Sequence, residues 1–189
     1  MRSLGLFGGS FNPVHTGHVL LARYAREALK LDEIWFIPCA SSADGKNLAP
    51  GALRLRWLRK VLKGEGGLKA SDIELKRGGV SRTVDTLREL REKLGPAVKF
   101  TVLMGQDQAH RIASWKEAEQ LPRLCRLAVF GRSGVLKREA KGFRMKHLNA
   151  PLSQISSSEI REAIGQKKNL GLLLPPALVR DASLTRAFR

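Results

Sequence analysis

Two histidines three residues apart, His15 and His18, close the run Gly8-Gly9-Ser10-Phe11-Asn12-Pro13-Val14-His15-Thr16-Gly17-His18. A short apolar stretch, Leu4-Gly5-Leu6-Phe7, precedes the run, and an apolar-periodic one, Val19 to Leu29, follows it. That order reads as strand, glycine-rich turn, helix. Such a turn aims backbone N–H groups and the positive end of a helix at one spot, where an anion can bind. A spacing of three puts both imidazoles on one face of the first helical turn. Glycines that admit a phosphate to the backbone, with two imidazoles beside it, suit the handling of nucleotide phosphates.

A second constellation lies near the other end, Ile155-Ser156-Ser157-Ser158-Glu159-Ile160-Arg161. Ser156 with Glu159 three residues on is a capping box, which marks a helix start. The cap accounts for one serine and the glutamate. It leaves two further serines and Arg161 on the first turn and a half. Hydroxyls, free helix N–H groups and a guanidinium together make a phosphate site.

These residues must be held by a scaffold, and the chain is long enough for one. Its 189 residues fit a single domain with a full core. Hydrophobic content of 43% and charged content of 27% are those of a globular protein. No apolar stretch reaches the ~20 residues of a membrane span. The first strand begins at once after Met1, so no signal peptide is expected and a cytoplasmic location follows. Cys39 and Cys125 each lie in or beside an apolar run, as small buried thiols do in a reducing compartment. The formal net charge is +17, and between Arg123 and Lys146 eight Lys or Arg face one acid, Glu139. Nucleic acid is one partner such charge suits. Aromatics are only 6%, however, with no interleaved stacking platform, so a surface that attracts nucleotide phosphates, or one that merely keeps the protein soluble, explains the excess at least as well.

Short apolar runs alternate with helical patterns. Strands are expected at Ser3–Phe7, Glu33–Pro38, Ala70–Leu75, Val98–Met104, Leu124–Phe130 and Arg144–Leu148. Helices are expected at Thr16–Lys30, Pro50–Lys63, Thr83–Lys93, within Gln108–Leu121, and at Ser157–Gln166 and Pro176–Leu184. In the first helix Val19, Leu20, Ala22, Ala25, Ala28 and Leu29 are available for the inner face. Gly131–Gly142 reads as a basic, mobile loop. This alternation predicts a Rossmann-like α/β fold, a doubly wound parallel sheet with helices on both faces. Ligands in such sheets bind beyond the carboxyl ends of the strands. The segments Gly8–His18, Cys39–Asn47, Gly105-Gln106-Asp107 and Gly131–Gly134 should therefore gather on one edge.

The two end motifs, in this order, resemble those of the bacterial nicotinate-mononucleotide adenylyltransferases, within the nucleotidyltransferase superfamily. Ser81-Arg82-Thr83-Val84-Asp85-Thr86-Leu87 is similar to that family's Ser-Tyr-Thr-x-Asp-Thr-Leu. Met104-Gly105-Gln106-Asp107 resembles its Gly-x-Asp, and Ser114-Trp115 its tryptophan a few residues on. Three positions depart from the pattern: Asn12 replaces an Asp, Arg82 a Tyr, and Ala43-Asp44-Gly45-Lys46-Asn47 a Pro-Pro-His-Lys loop.

The resemblance implies adenylyl transfer from ATP to nicotinate mononucleotide, with deamido-NAD and pyrophosphate as products. It assigns catalysis to His15, His18, Arg161 and Lys46. Gly8, Gly9, Ser10, Phe11, Ile155, Ser156 and Ser157 would complete the ATP site, and Ser10, Thr83, Gly105, Asp107 and Trp115 would hold the mononucleotide. Magnesium would travel on the ATP phosphates, with no protein metal site. The C-terminal helices, from about residue 157 to 189, would close the ATP site of a single domain, and a homo-oligomer is compatible with the pattern. Two alternatives remain open: a sister enzyme using nicotinamide mononucleotide or phosphopantetheine, and a non-catalytic protein binding nucleotide or nucleic acid.

Overall fold

In the computed structural model, which describes residues 1–42, 45, 47–131, 142–150 and 155–188, six strands form one parallel sheet. They are β1 Ser3–Gly9, β2 Glu33–Pro38, β3 Leu68–Ala70, β4 Lys99–Gly105, β5 Arg126–Phe130 and β6 Met145–Leu148. Their order is β3-β2-β1-β4-β5-β6, and every pairing is parallel. The chain thus winds outward one way from β1 and then the other way from β4. The reversal lies between the carboxyl ends of β1 and β4, where doubly wound sheets open a crevice.

Side chains alternate between the two faces of the sheet. Phe7, Ile34, Phe36, Leu103 and Phe130 join one core with α1 (Thr16–Ala28), α2 (Gly51–Val61), α7 (Ser157–Gly165), α8 (Pro176–Val179) and α9 (Ala182–Phe188). Leu4, Leu6, Ile37, Val102 and Leu127 join the other with α3 (Ile73–Arg77), α4 (Thr83–Leu94), α5 (Gln106–His110) and α6 (Leu121–Leu124). Being covered on both faces, β1 is buried without a break from Leu4 to Phe7. Gly5 is needed there. A Cβ at that position would lie 2.8 Å from Ile34 Cγ1 and 2.9 Å from Leu31 Cδ1, so any side chain would force those two buried side chains to shift.

Two expected elements differ. The segment expected as a strand at Ala70–Leu75 divides into β3, which ends at Ala70, and α3, which begins at Ile73. A short apolar run carries no usable period, and burial of Ile73 and Glu74 on a helical turn decides it. The closing helix expected at Pro176–Leu184 breaks at Arg180 into α8 and α9, because the Asp181 carboxylate accepts the Ser183 N–H at 3.0 Å and starts a new helix. In α1 the helix stops at Ala28, with Leu20 46% exposed and Ala28 exposed, so neither belongs to the inner face. The interior of the basic segment, residues 132–141, lies outside the described residues, and the loop expected at Gly131–Gly142 with it.

The C-terminal helices are fastened to the frame. Trp57 Nε1 of α2, fully buried, donates to Ser183 Oγ at 2.9 Å, and Lys60 Nζ reaches Asp181 at 2.9 Å. The Thr16 N–H at the head of α1 donates to the Leu173 carbonyl at 3.2 Å.

Candidate active site

The loop between β1 and α1 is the centre of the site. β1 delivers Gly8 and Gly9 to the crevice edge, and β4 delivers Gly105 beside them. A Cβ on Gly8 or Gly105 would meet nothing within 4 Å, so both border open space. Gly9 is different: a Cβ there would sit 3.1 Å from the Phe11 ring. Phe11 takes a positive φ of 45° and folds its ring back into the core, edge-on to Phe7 at 5.8 Å. The tight turn therefore depends on glycine before it.

Asn12 is 2% exposed. Its Oδ1 accepts the Ala49 N–H at 3.0 Å, and its Nδ2 donates to the Asn47 carbonyl at 3.5 Å. A carboxylate could make only the first bond, which gives the departure from Asp at this position a local reason.

The two histidines stack, with ring centroids 3.7 Å apart and planes 32° from parallel. The His15 N–H donates to His18 Nδ1 at 3.2 Å. Phe11 packs edge-on against His18 at 5.0 Å. Burial holds His15 down to about 4, against a partial upward pull from Glu159. Burial, and then His15, pushes His18 well below the ordinary histidine value. Both rings are neutral at pH 7. With Nδ1 of His18 accepting, its proton sits on Nε2, which is left as a donor. His15 is 6% exposed, and its Nδ1 has no hydrogen-bond partner among the described residues. A buried polar atom without a partner suits a site whose partner is a ligand.

Helix α7 is docked onto the same loop. Ser157 Oγ donates to the Pro13 carbonyl at 2.9 Å, and Arg161 Nη1 donates to the Asn12 carbonyl at 2.9 Å. Arg161 Nη2 reaches Ser158 Oγ at 3.0 Å. Ser156 and Glu159 form the expected capping box, with the Glu159 N–H bonding Ser156 Oγ at 3.2 Å and the Ser156 N–H bonding Glu159 Oε2 at 2.8 Å. Ile155 packs against the core just before the cap. The N-termini of α1 and α7 thus converge on one short loop, each bringing the positive end of its helix dipole.

The residues expected to hold a mononucleotide stand mainly on the opposite sheet face. Thr83 is the first residue of α4, with Arg82 as its N-cap. Ser81 just before it accepts the Ala40 N–H at 2.9 Å, which ties this helix start to the end of β2. Asp107 is exposed in the first turn of α5, straight after Gly105. Trp115 is half-buried against the second core. Two ion pairs, Lys116 to Asp85 at 2.9 Å and Arg88 to Glu117, hold the Trp115 segment against α4. The start of α4 and the Trp115 segment are therefore held together, while Ser10 belongs to the loop that follows β1. Lys46 lies outside the described residues.

Sequence reasoning missed Arg54, which is 1% exposed and binds the carbonyls of Ser10, Cys39, Ala40 and Ala49. A signal existed: Arg54 precedes Trp57, Leu58 and Val61 by three, four and seven residues, which puts a cation on the apolar stripe of α2. The cysteines are half-buried, and burial raises both thiols, Cys125 to about 12. Neither is a nucleophile at neutral pH.

Among the described residues no three His, Cys, Asp or Glu side chains cluster as metal ligands. The donors around the loop are N–H, hydroxyl and guanidinium groups, which suit phosphate oxygens and not a cation.

Residues 6–163 match the cytidylyltransferase-like family. The chain is 36% identical over 182 residues to a probable nicotinate-nucleotide adenylyltransferase of Shouchella clausii, covering 94% of this chain and 92% of that one. It is 35% identical over 175 residues to one from Thermus thermophilus, covering 93% of each. Plasmodium falciparum nicotinic acid mononucleotide adenylyltransferase, solved in complex with NaAD, shares the fold with a TM-score of 0.80, at 22% identity over 99% of this chain and 98% of that one.

Proposed function

From the chain's place in the cytidylyltransferase-like family, to which it belongs together with the nicotinate-nucleotide adenylyltransferases, we infer an adenylyltransferase of NAD biosynthesis. It joins ATP and nicotinate mononucleotide into deamido-NAD and releases pyrophosphate. The observation that carries the chemistry is the meeting of two helix N-termini and two neutral imidazoles at the loop from Gly8 to His15.

The 5′-phosphate of the mononucleotide attacks the α-phosphorus of ATP. One P–O bond forms, the bond to the bridging oxygen of pyrophosphate breaks, and the electron pair leaves with pyrophosphate. The attacking group is already an anion, so no general base and no enzyme nucleophile is required. The task is alignment and charge neutralisation. His18 Nε2–H and His15 would donate to phosphate oxygens. Arg161, with Ser156, Ser157 and the free N–H groups of α7, would receive the leaving pyrophosphate, and Lys46 would add a further cation. Gly8, Gly9, Ser10 and Phe11 would let the triphosphate lie against backbone. Magnesium, carried by the triphosphate, would supply further charge neutralisation at the phosphates.

On the other side of the crevice, Trp115 would stack on the pyridine ring, Asp107 would take ribose hydroxyls, and Thr83 and Gly105 would fix the ring's polar edge. The single domain would close over ATP through α7, with α8 and α9 buttressing it. Among the described residues no helix is long and apolar enough to cross a membrane, and we place the enzyme in the cytoplasm, where its substrates are. The test is pyrophosphate release with ATP and each of three acceptors: nicotinate mononucleotide, nicotinamide mononucleotide and phosphopantetheine. The highest kcat/KM is expected with the first. An equal or higher value for either of the others sinks this assignment.

A further inference from the structure

Arg54 is a buried cation whose hydrogen-bond acceptors are backbone carbonyls. Its Nε donates to the Ala49 carbonyl at 2.8 Å, its Nη1 to the Ser10 carbonyl at 2.8 Å, and its Nη2 to the carbonyls of Cys39 at 2.7 Å and Ala40 at 3.5 Å. No acidic residue pairs with it among the described residues, and the Cys39 sulfur lies 4.0 Å from Nη1. Burying a guanidinium without a counter-charge is costly, and a fold gains little stability from it compared with an apolar side chain of similar volume. The cost calls for a use.

The acceptors show what the group does. Ser10 ends the glycine turn after β1, Cys39 and Ala40 follow β2, and Ala49 leads into α2. One planar fork thus fixes three segments that meet at the crevice, a geometry that lysine cannot reproduce. The bond to Ser10 has a specific consequence. The Ser10–Phe11 peptide is trans, so its C=O and N–H point in opposite directions. With the Ser10 oxygen turned down onto Arg54, the Phe11 N–H must point away from the guanidinium. That N–H has no acceptor among the described residues.

We propose that Arg54 is a positioning residue for the anion site: it flips the Ser10–Phe11 peptide so that the Phe11 N–H faces the triphosphate, and its own uncompensated charge is balanced by that anion when it binds. Arg54 touches no substrate. It acts through the peptide it holds. The idea rests on the loop from Gly8 to His15 being the ATP-phosphate site.

The experiment uses the full chain and inorganic tripolyphosphate as the probe. In the wild-type protein, titration should move the Phe11 amide resonance more than those of residues remote from the loop. An unmoved Phe11 amide overturns the proposal whatever the variants do. Arg54→Lys, which keeps the charge but not the fork, should weaken tripolyphosphate binding by calorimetry at least about tenfold and raise KM for ATP similarly. KM for nicotinate mononucleotide should stay within about threefold. Loss of both affinities in proportion, together with a lower Tm, would show a merely structural arginine, and wild-type ATP kinetics would also refute the role. A wild-type protein that binds tripolyphosphate but releases no pyrophosphate with ATP and any acceptor would instead refute the assigned reaction and leave the Arg54 proposal to the amide shift.

Discussion

The histidine pair was legible from its spacing, though not as two residues of one helical face: His15 is the extended N-cap of α1 and His18 the third residue of the helix, and the cap geometry brings their rings together. Their neutrality was not legible, because it comes from burial that no local pattern announces, to which Phe7 and Phe11 contribute by packing against His18. The neutrality has a measurable sign. His15 holds a folded value of about 4 against an ordinary 6.5, so between those values the unfolded chain binds a proton that the folded one refuses. Stability is therefore complete above about pH 6.5 and falls as the pH drops toward 4, with His18 adding in the same direction. Melting curves should show Tm declining through that window before most carboxylates titrate, and His15→Asn should flatten the decline. A Tm unchanged from pH 7 to 4.5 contradicts the neutral pair. Replacing His18 with Ala removes the one donor that the His15 N–H orients, and kcat should fall on the order of 10²–10³, as when other preorganised donors are lost. A kcat within threefold of wild type would mean the ring only packs. Arg54 was visible as a cation on an apolar stripe, but a basic helix hides one odd arginine among several.

At the scale of elements, the capping box of α7 was readable because its partners are three residues apart. What the helix docks against was not, because Arg161 and the Asn12 carbonyl it binds are separated by 149 positions. Tertiary packing also explains why α3 was expected as strand: only packing against the second core distinguishes a five-residue helix from a short strand. Two substitutions in α7 separate its fold-building role from its anion-binding one. Ser156→Ala removes the cap together with one hydroxyl of the proposed pyrophosphate site, so it should cost about 1 kcal/mol of stability and raise KM for ATP by no more than about threefold. Arg161→Lys should do the reverse. One Lys ammonium can still reach the Asn12 carbonyl, so Tm should hold, but the bidentate grip on pyrophosphate is lost. At least tenfold in kcat/KM for ATP, about 1.4 kcal/mol of transition-state stabilisation, should go with it. If thermal melts and ATP kinetics show both variants losing only stability, α7 is a strut and its N-terminus is not the phosphate site.

For the whole molecule, alternation of strands and helices made a parallel sheet legible, but it does not dictate strand order, and the order decides that β1 and β4 flank the crevice. Net charge was legible too, and the structure shows how little of it is neutralised. Glu33 serves both Arg2 and Lys69, Asp181 both Arg56 and Lys60, Asp72 both Arg59 and Lys76, and Glu89 both Arg77 and Lys93. Acids that already share two cations cannot quench the rest, so the formal +17 reaches solvent as a field over the surface. Both substrates are polyanions, and a field of this sign raises their encounter rate with the crevice. Such steering works at long range and is screened over roughly 10 Å at 0.1 M salt. Contacts made after arrival, such as those proposed for His18 and Arg161, would be screened far less. Raising KCl from about 20 to about 200 mM should therefore lower kcat/KM for ATP at least threefold while kcat stays within twofold. Duplex DNA should bind weakly, without regard to sequence, and be released over the same salt range, because only phosphate neutralisation holds it. A salt-insensitive kcat/KM, with tight binding to a defined DNA or RNA at physiological ionic strength, would show that the cations were placed for nucleic acid and that substrate capture owes nothing to them.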